Sequence, residues 1–349
     1  MKLSRRFSLG LIGAAVSAMT LGMTTPQALA ADVTLRLHQF LPAQANVPNH
    51  ILYPWADKIE AESDGRIEIQ RFPSMQLGGK PPELIDQVVD GVADIVWTVA
   101  GYTPGRFPTG EVFELPFMMT DAEATSRAYW QLAESRGLFD TEYSDFKVLA
   151  LFVHGPGVIH SKKPITSVED LNGVKLRAPT RVTNMLFSSL GATPVGMPVP
   201  AVPEALSKGV IDATVIPWEV TGALKVPELV ESHTEFGNET LYTTAFIIAM
   251  NKDKYNALPD DLKAVIDSNS GLEFSALAGK VMESYDAPSR QMAVDRGNGI
   301  VELDADQVAT WKAASQPTID AWVAEMDEKG KDGTGLLAEA RALIEQNSQ

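Results

Sequence analysis

The chain has no cysteine among its 349 residues. That absence excludes disulfides, thiolate metal sites, a cysteine nucleophile and a lipid-modified anchor cysteine. Its five histidines, His38, His50, His154, His160 and His233, include no pair at helical metal-ligand spacing. The sequence holds no G-x-S-x-G elbow, no P-loop, no H-E-x-x-H, and no G-x-G-x-x-G after a strand, so it offers no catalytic constellation. Basic residues are in deficit, 29 Lys and Arg against 45 Asp and Glu, for a net charge of −16. A chain this acidic lacks the basic patches that nucleic acid and anionic membrane surfaces require. Past the N-terminus no segment approaches the ~20 apolar residues of a membrane span. There is no internal repeat and no low-complexity linker.

The N-terminus carries Lys2, Arg5 and Arg6, an apolar run to Met23, and Ala28-Leu29-Ala30. These are the n-region, h-region and A-x-A site of a secretory signal peptide over residues 1–30, cleaved near Ala30. Ser4-Arg5-Arg6 partly matches a twin-arginine signal, although Ser8 replaces its usual Phe, so both export routes stay open. A periplasmic protein without disulfides must hold its core by burial alone. The roughly 318 residues after the leader suffice for that, in two lobes.

Short strands alternate with amphipathic helices, the sign of an α/β protein. Residues 33–38, 94–99, 148–153 and 243–250 read as strands. Ile51, Leu52, Trp55, Ala56 and Ile59 mark a helix face stopped by Gly65, with Pro54 either kinking it or sitting in its first turn. A long helical stretch follows from about Pro259, and Pro288 should kink or break it. Ile319, Trp322, Val323 and Met326 form one late apolar stripe, and Leu336, Ala340, Leu343 and Ile344 another. Both read as core-facing.

The most informative stretch runs from Pro164 to Glu219. A short helix at 168–171 is stopped by Asn172-Gly173, and a strand at 174–178 delivers Arg177 to its C-terminal end, just before Pro179. Ligand crevices in open α/β sheets lie at the carboxyl ends of strands. A guanidinium there offers a rigid, permanently charged fork matched to a carboxylate, although many strand-end arginines only tie down the surface.

Pro-Ile, Glu-Asp-Leu, Asn-Gly-Val-Lys-Leu-Arg, Leu-Gly-Ala-Thr-Pro, Met-Pro, Glu-Ala-Leu and Gly-Val-Ile-Asp follow one another through this stretch. Gly65-Arg66, Phe72-Pro73 with Leu77-Gly78, Leu115-Pro116-Phe117 and Met250-Asn251-Lys252-Asp253 flank it. In this order, from about Val33 to about Ile300, the chain resembles the extracytoplasmic solute-binding subunits of tripartite ATP-independent periplasmic (TRAP) transporters. The resemblance implies an α/β, two-lobed periplasmic binding protein fold with a hinge cleft and a long helix spanning both lobes. Residues 32–152 with about 243–275 would form the first lobe. Residues 153–242 with part of 276–349 would form the second lobe and the spanning helices. It also implies that Arg177 clamps a solute carboxylate, that the partner is a TRAP-type membrane permease, and that the protein is a monomer without cofactor.

The departures from the family pattern carry information about the solute. Gly157 stands where sialic-acid-type members have a second arginine, Thr214-Val215-Ile216-Pro217 replaces a polar Gln-Glu-Asn-Pro, and Val199 replaces a frequent cleft Phe. Trp218 reads either as packing or as a cover over the ligand. Glu219 reads either as a surface carboxylate or as a ligand to a cation beside the solute. In the first lobe Asn46, Trp97 and Tyr102 are candidates for ligand contact, with core packing the competing reading of Trp97. His154 is either a ligand contact or a structural residue at the crossover. One arginine in an apolar wall suits an aromatic or branched monocarboxylate. C4-dicarboxylates, 2-oxo acids and sugar acids are the alternatives within the class. A secreted enzyme, or a subunit feeding a sensor kinase, are the alternatives outside it.

Overall fold

A computed structural model describes residues 31–348. The expected signal peptide lies outside the described residues. Within them eleven strands are assigned in chain order: β1 (Val33–His38), β2 (Ile67–Phe72), β3 (Ile95–Val99), β4 (Phe146–Val153), β5 (Gly157–Ser161), β6 (Lys175–Ala178), β7 (Thr193–Gly196), β8 (Ala213–Pro217), β9 (Ser232–Glu235), β10 (Ala245–Asn251) and β11 (Gly299–Glu302). They form two sheets, β2-β1-β3-β10-β4 and β11-β9-β5-β8-β6-β7.

The strands in the middle of each sheet are buried on both faces, as sheets covered by helices on either side must be. Every residue of β3 is buried, as is every residue of β8 and β10. In the first sheet β1 runs parallel to β2 and β3, while β10 lies antiparallel between β3 and β4. That insertion matters for the site. The chain leaves the first sheet at Val153, reaches β5 after only three intervening residues, and returns at Ala245, which pairs with Val153. Two crossings therefore run side by side at the cavity described below.

Helices bind the two sheets together. Ala122–Ser135 and Leu272–Ser284 pack on β4, with no space for a Cβ at Gly279 against Ser126 Oγ and the Ala122 carbonyl. Ser126 Oγ donates to the Ala122 carbonyl (2.6 Å) and accepts the Val153 amide (3.0 Å), so that helix also fixes the end of β4. The helical stretch breaks at Tyr285, three residues before Pro288, which lies in the first turn of Asp286–Arg296, where a missing N–H costs nothing. Pro54 likewise sits second in the helix Tyr53–Glu62, after a π-turn at Pro48–Leu52. The 24-residue helix Ala305–Glu328, about 36 Å long, starts in the core of the second sheet, where Trp311 meets Phe236 edge-on at 5.1 Å. It ends beside the first sheet's loops, where the Trp322 indole donates to Glu111 (3.1 Å). Arg181, at the start of Arg181–Ser189, pairs with the same Glu111 and with Glu325 (2.6 Å), tying the second sheet's helix to the first sheet's turn Gly110–Glu114.

Two buried histidines pair inside the second sheet, with Nδ1 of His160 and Nδ1 of His233 2.6 Å apart. His160 Nε2 donates to the Ile216 carbonyl (3.1 Å), and Asn298 Nδ2 donates to His233 Nε2 (3.0 Å). His233 Nδ1 must then be the donor to His160, and both rings are neutral. Burial drives both pKa values down, that of His233 to about 4 and that of His160 well below the usual range, with the neighbouring ring adding to the effect on His160. The unfolded chain takes up protons near pH 6.5 that the native pair refuses, so stability should be lost as pH falls from 6.5 towards 4. Thermal melts across that range should show wild type losing stability relative to His233→Asn as pH falls. Equal slopes in the two proteins would contradict a neutral pair.

Candidate functional site

β6 ends because Pro179 has no N–H to continue the ladder. Thr180 then caps the next helix through a reciprocal box with Thr183. This leaves Arg177 at the carboxyl edge of the sheet with its side chain turned inward, only 2% exposed. Its Nε donates to the Met197 carbonyl (2.9 Å), Nη1 to the Val215 carbonyl (3.0 Å) and Nη2 distantly to the Tyr102 hydroxyl (3.5 Å). Those partners fix the plane of the fork but leave at least two of its five N–H donors unspent. Among the described residues no carboxylate pairs with it, whereas Arg181, four positions on, has two. A buried permanent charge without a counter-charge is costly.

The fork faces a small cavity of about 40 Å³. One wall is aromatic: the Trp97 ring stacks on Phe40 (4.4 Å) and on Phe246 (5.4 Å). Val99, Val199 and Ile216 add apolar surface. Tyr102 OH accepts the Val199 amide (2.9 Å), which joins the two lobes and leaves the phenolic hydrogen free to donate. Tyr242 OH and Trp97 Nε1 are buried donors with no partner. Burial keeps both phenols protonated, against the pull of Arg177's charge. His154 Nδ1 donates to the Gly155 carbonyl (2.5 Å) and Nε2 accepts from Thr244 (3.0 Å). Burial, and secondarily the charge of Arg177, push this histidine down to about 4, so it enters the cavity as a neutral ring.

Glu219 is buried at 6% exposure, and its Oε2 has no partner. Burial pushes its carboxyl up to about 8; Asn46 alongside opposes the shift without closing a hydrogen bond. Its own amide donates to Asp286 (2.8 Å), a carboxyl raised well above the ordinary range by burial and by Glu219. Among the described residues no group of three His, Asp or Glu could hold a metal ion. The expectation of a cation at Glu219 therefore gains no support from its surroundings.

Six of the residues singled out from sequence, Arg177, Tyr102, Trp97, His154, Val199 and Glu219, line this one cavity. Trp218 does not. The chain turns into a helix at Trp218, so Pro217 and Glu219 face the cavity while the indole points away. It donates to Glu235 (2.7 Å) and packs on His233 (4.6 Å) and His160 (5.0 Å), which corrects its reading as a ligand cover. Asn46 lies behind Glu219, outside the lining, with both amide atoms unpartnered. Sequence reasoning missed Phe40, Tyr242, Thr244 and Phe246. All but Phe40 lie where the chain crosses back into the first sheet, and that crossing was legible as the strand at 243–250.

Gly157 and Tyr242 are coupled. A Cβ at Gly157 would land on the Tyr242 ring, so the tyrosine fills the space into which a side chain at 157 would project. Gly157→Ala should displace that ring, destabilise the fold by about 1–3 kcal/mol, and weaken ligand binding. Unfolding and titration together check this, and an unchanged affinity would separate Tyr242 from the site.

The profile of bacterial extracellular solute-binding protein family 7 matches residues 40–326. A TRAP solute binding protein from Rhodoferax ferrireducens T118, solved with copurified benzoate, is 50% identical, with 90% of this chain and 98% of that one covered and a TM-score of 0.89. A marine metagenome TRAP solute binding protein specific for aromatic acid ligands, solved with 3-hydroxybenzoate, is 48% identical over 92% of this chain and all of that one, again at 0.89. The C4-dicarboxylate-binding periplasmic protein of Rhodobacter capsulatus is 25% identical, covering 91% of this chain and 94% of its own. The chain belongs to family 7 of the bacterial extracellular solute-binding proteins, the solute-binding subunits of TRAP transporters, whose task is to carry a ligand and not to convert it.

Proposed function

We propose that this protein captures a small aromatic monocarboxylate in the periplasm and delivers it, as a monomer, to a TRAP-type membrane permease. The observation that carries this reading is the buried Arg177 fork, with no counter-charge, facing an aromatic wall. The ligand carboxylate would take the two unspent guanidinium donors, and the hydroxyls of Tyr102 and Tyr242 stand near the same charge. The ring would lie along Trp97, Phe40 and Phe246, where offset stacking adds about 0.5–1.5 kcal/mol to the area buried. A C4-dicarboxylate needs a second cation. Among the described residues lining the cavity Arg177 is the one permanent cation, so a second carboxylate would be buried without a counter-charge. The two solved relatives with benzoate and 3-hydroxybenzoate support the same class.

Capture would proceed by closure of two lobes, residues 32–152 with about 243–275 against 153–242 with part of 276–349. The paired crossings at 153–157 and 242–245 would serve as the hinge. Closure brings Tyr102 from the first lobe onto Val199 of the second and exchanges water around the carboxylate for fixed donors. The Arg181–Glu111 pair would latch the closed form.

The test uses protein refolded to remove any retained ligand. Benzoate at about 100 times its dissociation constant should stabilise the native state by roughly 2.7 kcal/mol, a rise in Tm of several degrees. Arg177→Ala should show no shift. A rise with succinate but not benzoate would replace the aromatic reading with the dicarboxylate one. Equal rises in both proteins would remove the role given to Arg177.

A further inference from the structure

The cavity holds two sets of polar groups. In one, Arg177 acts on Tyr102, Tyr242 and His154, all of which sense its charge. Glu219 is not among the groups so affected; its neighbours are Asn46 and Asp286. Aromatic and aliphatic side chains, Met282 and Val220 among them, complete the lining. A carboxyl whose Oε2 is buried and without a partner, backed by an amide whose Nδ2 and Oδ1 are both unpaired, is an expensive thing to keep beside an apolar cavity. Neither group has a task in holding the fold: Glu219 is anchored through its backbone, N–H to Asp286 (2.8 Å) and carbonyl from Ser289 Oγ (3.3 Å), not through its side chain.

We propose that Glu219, with Asn46 alongside, is a specificity residue that hydrogen-bonds a neutral hydroxyl on the ring of the bound acid, at the end away from its carboxylate. The inference rests on the reading of the site as one for aromatic monocarboxylates and names the subclass, hydroxy-substituted aromatic acids. A carboxyl can both donate and accept when it keeps its proton, as burial makes Glu219 do at neutral pH. A hydroxyl is the ligand group that answers both roles. A carboxylate at the same place would be buried with no cation to pair with it, so this part of the cavity disfavours diacids.

Calorimetric titration of refolded protein with benzoate, 3-hydroxybenzoate, 4-hydroxybenzoate and isophthalate tests this. The tighter of the two hydroxybenzoates should exceed benzoate in affinity by about tenfold, and isophthalate should bind more weakly than benzoate. Glu219→Leu should lose the hydroxyl advantage, its affinity for the tighter hydroxybenzoate falling to about that for benzoate. Glu219→Gln, which retains an uncharged donor and acceptor, should preserve the advantage and report on the site if the leucine variant folds poorly. Wild type that binds benzoate as tightly as both hydroxybenzoates, or a leucine variant that keeps the preference, overturns the inference but leaves the aromatic reading standing. Failure of every aromatic acid to bind wild type overturns the aromatic reading, and this inference with it.

Discussion

A guanidinium buried without a counter-ion is the constraint around which this protein is arranged. Burying a charge costs several kcal/mol unless something pairs with it, and Arg177 is held among backbone carbonyls that orient it but cannot neutralise it. The local chain explains how it is held. A four-residue strand ends at Pro179, β8 supplies the Val215 carbonyl, and the segment after β7 supplies that of Met197. The fork is thus positioned by main chain from three separate pieces of the second sheet, before any ligand arrives. Such fixed donors give up little freedom when they bind, which is where preorganised sites gain affinity.

The rest of the cavity is shaped by what that charge does to its neighbours. Two tyrosines and a histidine lie within its influence, and burial leaves all three neutral, so they present hydrogen bonds without competing for the anion. The aromatic wall comes from the other lobe, mainly on β3 and the returning β10. Neither lobe has a complete site alone. Tyr102 reaching Val199 and Arg181 reaching Glu111 are therefore more than surface contacts, since they join elements of the first sheet to elements of the second around one cavity.

Much of this was legible in the sequence, for identifiable reasons. Alternating short strands and amphipathic helices gave the α/β class, and Asn172-Gly173, the following strand and Pro179 placed Arg177 at a strand end. The 94–99 and 148–153 runs were recognisable because strands buried on both faces are continuously apolar. Trp218 was misplaced because the turn from strand to helix at Pro217 resets which side chains face inward, and residue type cannot reveal that rotation. Tyr242 and Phe246 went unnoticed because β10 was read only as a strand returning to the first sheet. Its partners, β3 and β4, are about 150 and 100 residues earlier in the chain, and pairing over that separation leaves no local trace. The uncharged state of Glu219 was likewise out of reach, because it depends on burial by segments far away in sequence.

The central claim is that charge, and not shape alone, holds the ligand at Arg177. The most direct measurement compares benzoate with benzamide, its uncharged near-isostere, by calorimetric titration of the refolded wild-type protein. Two charge-assisted hydrogen bonds lost from a buried site should cost at least about a hundredfold in dissociation constant. Dissociation constants within a few-fold of each other would contradict the account, because the buried guanidinium would then be doing no more than fill space.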